Sequence, residues 1–124
     1  MEHKNSRLLG SWGESRAAEM LRGKGFTILA MNYTTRFGEI DIIAEDRRYI
    51  VFAEVKLRRG KSFMEARESV NAAKQQRILI SAQQWLSEHK TEKQPRIDVI
   101  EIYAPEGIQT PQPQIIHTEN AFYE

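Results

Sequence analysis

The chain has 124 residues, no cysteine and a formal net charge of +1. This length suits one domain, and the absence of cysteine excludes disulfides, zinc–thiolate sites and thiol catalysis. Because the charge is nearly balanced, the chain is not a histone-like polycation. Any surface that binds an acidic partner must therefore arise from a local cluster of basic residues.

Two features of the sequence predict a cytoplasmic protein without a membrane partner. No apolar run approaches the ~20 residues that a membrane helix needs. The charged start of the chain lacks the apolar stretch that follows it in a signal peptide. We expect one domain over residues 1–124, with 1–7 and 104–113 flexible, since the second of these segments holds three prolines and a glycine.

The first half of the chain predicts a helix followed by three strands. Small and apolar residues recur at helical spacing over 8–23, and glycines follow the last of them. The β-branched and aromatic residues of 26–30 predict a strand. Two further apolar strands, 39–44 and 49–56, are separated by a short polar segment, which predicts a β-hairpin.

The second half predicts a long helix, then one strand and a short further strand. The helix is expected to begin at 63 or 69 and to end at 89. Its apolar face is expected to contain Ala73, Ile80 and Leu86, flanked by Val70 and Trp85. The strands are 96–103 and 114–117. The order predicts an α/β fold with an αβββαβ core, a mixed sheet, and helices on both faces or together on one.

Two charged residues end the second strand of the hairpin. Glu54 and Lys56 project from the same face, because side chains alternate along a strand. Burying these charges unpaired would be costly, so the strand is expected to end at an open edge of the sheet. The alternative is an ordinary ion pair on a half-exposed strand.

A third charged residue, Asp41, interrupts the isoleucine-rich first strand of the hairpin, with Glu39 on the same face. If the hairpin is symmetric about Asp46-Arg47, Asp41 and Glu54 lie nearly opposite each other, within an offset of two positions. Adjacent carboxylates repel, and a divalent cation between them removes that repulsion. A lysine nearby can then activate a water for metal-assisted hydrolysis. The alternative is that Asp41 ends a strand or caps a turn.

A carboxylate also lies on the apolar stripe of the first helix. Glu14 shares this stripe with small residues, which would let the helix lie close to the sheet: Gly10, Gly13, Ala17 and Ala18. Carboxylates are rare on the buried face of a helix, so Glu14 is expected to reach the same site. The alternative is a surface residue that pairs with Arg7 or Arg22.

The two hairpin strings resemble a nuclease pattern. Gly38-Glu39-Ile40-Asp41 and Phe52-Ala53-Glu54-Val55-Lys56 are similar to the PD-(D/E)-x-K signature of restriction enzymes and archaeal Holliday-junction resolvases, with Ile40 where the pattern has proline. The superfamily core is helix, three strands, helix, strand, as predicted above. The chain also resembles the YraN family of predicted bacterial endonucleases from about Gly10 to Phe122. The further motifs that carry this resemblance are Trp12-Gly13-Glu14, Asn32-Tyr33, Lys74, Arg96-Ile97-Asp98-Val99 and Glu119-Asn120-Ala121-Phe122.

The resemblance implies a catalytic set of Glu14, Asp41, Glu54 and Lys56. Asp41 and Glu54 would bind Mg²⁺ or Mn²⁺, and the backbone carbonyl of Val55 would be a further ligand. Lys56 would serve the attacking water. Glu14 would match the first-helix acidic residue of the resolvase-like branch, as a possible further ligand.

Basic residues near these motifs are candidates for binding a phosphate backbone. They are Arg58, Arg59, Lys61, Lys74 and Arg77. Such contacts position a nucleic acid without reading its sequence, and no base-reading motif is present. We therefore expect weakly specific, structure-selective binding of branched or junction DNA. The alternative is an ordinary solvated face.

The leading functional hypothesis is a Mg²⁺-dependent endonuclease that hydrolyses DNA. The alternatives are a nucleic-acid-binding module without catalysis and an accessory protein of DNA processing. A carboxylate pair favours the endonuclease, because a binding module needs cations rather than acids. A homodimer is expected, since cutting two strands requires two sites.

Overall fold

The computed structural model describes residues 2–59 and 71–121, with side chains from Leu8 onward. Its elements follow the order predicted from the sequence, and the mixed α/β class is confirmed. In chain order they are α1 (Glu2–Gly23), β1 (Thr27–Thr35), β2 (Gly38–Glu45), β3 (Tyr49–Arg58), α2 (Ala72–Glu88), β4 (Gln94–Tyr103), a 3-10 helix (Gly107–Gln109) and β5 (Gln114–Thr118).

The five strands form one mixed sheet in the order β1-β2-β3-β4-β5. All neighbours are antiparallel except β3 and β4, which are parallel. Parallel neighbours need a long crossover connection, and α2 lies in the connection between them. The three N-terminal strands therefore form a meander, to which β4 and β5 are added on the side of β3.

The two helices cover opposite faces of the sheet, which resolves the alternative that the sequence left open. Ala17, Ala18 and Leu21 of α1 pack on the face that carries Val51 and Ala53. On the other face, α2 packs against Ile50 and Phe52. Because residues alternate along β3, these two clusters lie on either side of one sheet.

Helix α1 approaches the sheet closely at Gly13. A Cβ built on this glycine would lie 3.4 Å from Cδ1 of Leu57, at ordinary contact distance. Together with buried Ala17 and Ala18, Gly13 keeps the helix low over the sheet. Glu14 lies between Gly13 and Ala17 in the sequence, and it is thereby brought close to Glu39 and Asp41 of β2.

The buried face of α2 differs from the predicted one. The buried residues are Ile78, Ser81, Ala82 and Trp85, which recur at helical spacing. Ala73 is exposed, so its assignment to the core was wrong. The reason is that α2 begins at Ala72, with Asn71 as its N-cap, and Ala73 lies in the first turn. Ile80 and Leu86 are half-buried, and Val70 lies outside the described residues.

Neither described helix could span a bilayer, because charged and polar residues interrupt the apolar stretches of both α1 and α2.

Candidate active site

In the β2–β3 hairpin, Asp41 and Glu54 are the neighbours of the last paired residues, Ile42 and Ala53. The paired register runs from Glu45–Ile50 to Ile42–Ala53, and its turn is centred on Arg47-Arg48, one residue further along than expected. With this turn the predicted offset of two disappears, and Asp41 and Glu54 both lie one position beyond the last pair.

The two strands separate immediately beyond this point. Ile40 and Ile43 both belong to the cluster under α2, whereas Ile42 belongs to the cluster under α1. The alternation of faces is therefore interrupted at Asp41. Oδ2 of Asp41 accepts a hydrogen bond from the backbone N–H of Val55 at 2.8 Å. The carboxylate thus takes up a backbone donor at the fork where β2 and β3 diverge.

Three carboxylates converge at this fork. Glu14 of α1, and Glu39 and Asp41 of β2, each offer an oxygen within 4.8 Å of the others. Oxygens bound to one Mg²⁺ in octahedral geometry at ~2.1 Å lie ~3.0 Å apart when adjacent and ~4.2 Å apart when opposite, so the three side chains would move closer together to bind one ion. Hard carboxylate oxygens are the donors that Mg²⁺ and Mn²⁺ prefer, and the set therefore fits such an ion.

The acid group is electrostatically unfavourable when no cation is bound. Burial, followed by the charge of Glu54, raises the pKa of Asp41 to about 8, although the bond from Val55 opposes the shift. Burial also raises the pKa of Glu14, with further contributions from Glu39 and Glu54. Both shifts mean that these carboxyl groups hold protons more tightly than free side chains.

Glu54 lies beside the acid group but has different partners. Its Oε1 accepts hydrogen bonds from Nζ of Lys56 at 3.0 Å and from Nζ of Lys74 at 2.9 Å. Glu54 is only 6% exposed, and the two ammonium groups compensate its charge. Lys74 reaches it from the first turn of α2, where the side chain of Asn71 caps the helix by accepting the Lys74 N–H.

The two lysines differ in how readily they lose a proton. Burial, with the neighbouring Lys74, lowers the pKa of Lys56. For Lys74, hydrogen bonds with Lys56 and Glu54 outweigh burial and raise the pKa. Lys56 is therefore the more readily deprotonated of the two lysines, whereas Lys74 is held more firmly in its charged form.

A cavity of about 220 Å³ opens onto these groups on the α2 side of the sheet. It is lined by Gly38, Glu39, Asp41, Glu54, Lys74, Arg77 and Ile78. A Cβ on Gly38 would lie 3.3 Å from Cβ of Arg77, so this glycine lets β2 and α2 approach closely. The close approach sets the Arg77 side chain at the wall of the cavity.

The structure brings some of the predicted site residues together and leaves others apart. Glu14, Asp41, Glu54 and Lys56 all meet at the fork, as described above. Val55 contributes its backbone N–H, and the role of its carbonyl stays a prediction.

The basic residues are divided in the same way. Lys74 and Arg77 line the cavity. Arg58 is half-buried at the end of β3. Nη2 of Arg59 lies 3.4 Å from the position of a Cβ on Gly107, near the 3-10 helix. Lys61 lies outside the described residues.

Sequence reasoning missed two members of the site. Glu39 was noted on the face of Asp41 without a role, although its spacing of two was the available signal. Asn32 has a left-handed backbone conformation, with φ of 54°, and its side chain forms a hydrogen bond with Glu14 that lowers the pKa of that carboxyl. A left-handed asparagine inside an edge strand leaves no clear signal in the sequence.

A second buried carboxylate lies away from the fork. Asp98 of β4 accepts hydrogen bonds from Nε and Nη2 of Arg96, both at 2.9 Å, and from the backbone N–H of Asn120 at 2.9 Å. Nε2 of His117 donates to it at 2.6 Å, while Nδ1 of His117 accepts from Lys24 at 2.9 Å. Although burial opposes the shift, these bonds lower the pKa of Asp98.

The fold and the fork define a class: an αβββαβ protein with an acid group beside a lysine-bound glutamate at the open end of a β-hairpin. The chain belongs to the uncharacterised protein family UPF0102, whose model matches residues 13–102.

Bacterial relatives support this assignment. A UPF0102 protein of Syntrophotalea carbinolica is 48% identical over 95 residues, covering 76% of this chain and 77% of that protein. One from Caldanaerobacter subterraneus is 40% identical over 124 residues, covering 98% and 100%. One from Rhodococcus opacus is 41% identical over 115 residues, covering 92% and 95%.

Proposed function

We propose that this protein is a divalent-metal-dependent endonuclease of the PD-(D/E)-x-K type, related to the YraN family that its motifs resemble. The observation that carries the proposal is the convergence of Glu14, Glu39 and Asp41 beside the Glu54–Lys56 pair. A carboxylate cluster in which the pKa values of Glu14 and Asp41 are raised, next to a lysine with a lowered pKa, suits metal-assisted hydrolysis better than structural support.

The cation, Mg²⁺ or Mn²⁺, would be held by Asp41, Glu14 and Glu39. When bound, it would stabilise the charge that develops on a phosphodiester during hydrolysis. Glu54 is not one of these three carboxylates, because its Oε1 binds the two lysines, and it would join the ligand set through its other oxygen. This departs from the ligand set that the resemblance implies, in which Asp41 and Glu54 form the primary pair.

The remaining residues suit a polyanionic substrate. Lys56, whose ammonium pairs with Glu54, would orient the attacking water by donating a hydrogen bond to it. Lys74 and Arg77 at the cavity wall would bind the phosphates on either side of the scissile bond. The proposed substrate is DNA, with preference for branched or junction forms. Cleavage of both strands would require a homodimer, because one copy supplies one such site.

The test is metal binding and DNA cleavage by the wild type and by Asp41→Asn. Mg²⁺ and Mn²⁺ are titrated by calorimetry, and branched and duplex DNA are offered as substrates. Glu92→Gln is the matched control, since it removes an exposed carboxylate on the loop before β4. We expect Asp41→Asn to lose metal binding and to lower cleavage at least about 100-fold, in line with the loss of a catalytic electrostatic group. The control should behave as the wild type.

Three other outcomes would count against the proposal. DNA binding that is unaffected by the metal and by Asp41→Asn would indicate a binding module instead. Cleavage that persists in Asp41→Asn would place the active site elsewhere. The absence of metal binding by the wild type, with and without DNA, would remove the basis for hydrolysis.

A further inference from the structure

The turn between β1 and β2, which leads directly into residues of the cavity wall, presents an exposed aromatic ring. Thr35 pairs with Gly38, so the loop consists of Arg36 and Phe37 alone. Phe37 is 45% exposed. The next two residues in the chain, Gly38 and Glu39, both line the acidic cavity. Because Phe37 directly precedes two residues of the cavity wall, its ring is a candidate contact for a ligand of the site.

Hydrogen bonds fix this turn. Oγ1 of Thr35 accepts the backbone N–H of Phe37 at 3.0 Å and that of Gly38 at 3.1 Å. The same hydroxyl lies 2.9 Å from Oγ of Ser81, which is fully buried in α2. The turn is thereby attached to the helix that carries Lys74 and Arg77. The backbone of Phe37 is thus fixed before any ligand binds, which lowers the entropy cost of binding.

The turn also carries a positive charge. The guanidinium carbon of Arg36 lies 5.4 Å from the centre of the Phe37 ring, within the range of a cation–π contact. Arg36 forms no ion pair with any residue in the described part of the chain. An aromatic ring with an uncompensated arginine is the pairing by which proteins stack unpaired bases and bind their phosphates.

We propose that the Arg36-Phe37 turn binds an unpaired nucleotide next to the scissile phosphate, with the Phe37 ring stacked on the base and Arg36 on its phosphate. This inference rests on the proposed nuclease function and specifies its substrate. Bases inside a duplex are already stacked on their neighbours, whereas those at a fork, flap or junction are free to stack on protein. The turn therefore selects DNA with unpaired bases over continuous duplex.

The test uses oligonucleotides that contain 2-aminopurine, whose fluorescence falls when the base stacks. Binding is measured in the Asp41→Asn background with EDTA, so that neither cleavage nor metal affects the result. Phe37→Ala should weaken binding of the single strand about tenfold, as expected from removing one stacked base, and should relieve the quenching. Phe37→Trp should keep both the affinity for the single strand and the quenching. Leu29→Ala is the matched control, because Leu29 is also an exposed apolar residue but lies within β1 and not in the turn.

Equal effects of Phe37→Ala on single-stranded and duplex DNA, or unchanged quenching, would overturn the proposal. So would a change in sedimentation without a change in DNA binding, since Phe37 would then contact protein. Cleavage by the wild type with Mg²⁺ is assayed separately. Loss of stacking in a protein that cleaves no DNA would refute the nuclease and leave the base-binding turn standing. Cleavage by the wild type, together with quenching that Phe37→Ala does not relieve, would support the nuclease and refute the base-binding turn.

Discussion

Asp41 and Asp98 are two aspartates in neighbouring parts of one sheet with opposite surroundings. Asp98 is fully buried and accepts four hydrogen bonds, three of them from Arg96 and His117. Asp41 accepts the Val55 N–H and is flanked by three further carboxylates. As a result the pKa of Asp98 is lowered, whereas that of Asp41 is raised to about 8.

The difference separates a carboxylate whose ionisation stabilises the fold from one whose ionisation the fold opposes. Where donors surround the charge, ionisation is favoured by folding and the group contributes stability. Where like charges surround it, folding opposes ionisation, and such strain is typical of functional sites. Removing the carboxylate is therefore expected to lower the free energy of unfolding at Asp98 and to raise it at Asp41.

The largest effect is expected at Asp98. Asp98→Ala would leave Arg96 and His117 buried without their carboxylate, and breaking a buried ion pair costs about 3–5 kcal/mol of unfolding free energy. Urea denaturation at neutral pH measures the loss. Glu119→Ala is the control, because its contact with Arg96 is 3.8 Å long and largely exposed. A loss below about 1 kcal/mol at Asp98 would show that the cluster does not stabilise the fold.

The Asp98 effect should also depend on pH. Because its folded pKa lies below the unfolded value of about 3.9, its contribution is present above that value. It is lost as the pH falls through the lower, folded pKa. The stability gap between wild type and Asp98→Ala should therefore narrow below about pH 4.

Asp41→Asn should raise the free energy of unfolding by about 0.5–2 kcal/mol, as is common when strain at a functional site is removed. The folded pKa of about 8 lies above the unfolded value of about 3.9. The wild type therefore loses stability as the pH rises from the unfolded value through the folded one. In EDTA, the melting temperatures of the wild type and Asp41→Asn should coincide near the unfolded pKa of about 3.9. They should diverge as the pH approaches the folded pKa of about 8. Melts that stay parallel would contradict the raised pKa.

Sequence patterns located one side of this comparison, the carboxylates around Asp41 at the open end of the hairpin. Strand alternation and a short polar turn were enough to set Asp41 near Glu54, because both signals are local. The pairing of Lys74 with Glu54 and the cluster around Asp98 could not be derived, since their partners come from distant elements. Ala73 was misplaced because the sequence did not locate the Asn71 cap, which puts Ala73 in the exposed first turn of α2.

The smallest effects on stability are expected at two asparagines, one in each region. Asn32 and Asn120 both have left-handed backbones, with φ of 54° and 51°, which glycine adopts without strain. Asn32→Gly removes the hydrogen bond to Glu14. Asn120→Gly keeps the backbone donor that Asp98 uses. Both variants should unfold within about 0.5 kcal/mol of the wild type.

Metal affinity should nevertheless separate the two variants. Without the bond from Asn32, the pKa of Glu14 rises further, so a proton competes better with the metal. Asn32→Gly should weaken Mn²⁺ binding about tenfold, as for other residues that position a metal ligand, and more strongly at acidic than at alkaline pH. Asn120→Gly should bind as the wild type. Equal affinities would mean that the left-handed turn at Asn32 shapes only the edge strand. Unequal affinities at equal stability are a result that a purely structural role of Asn32 cannot produce.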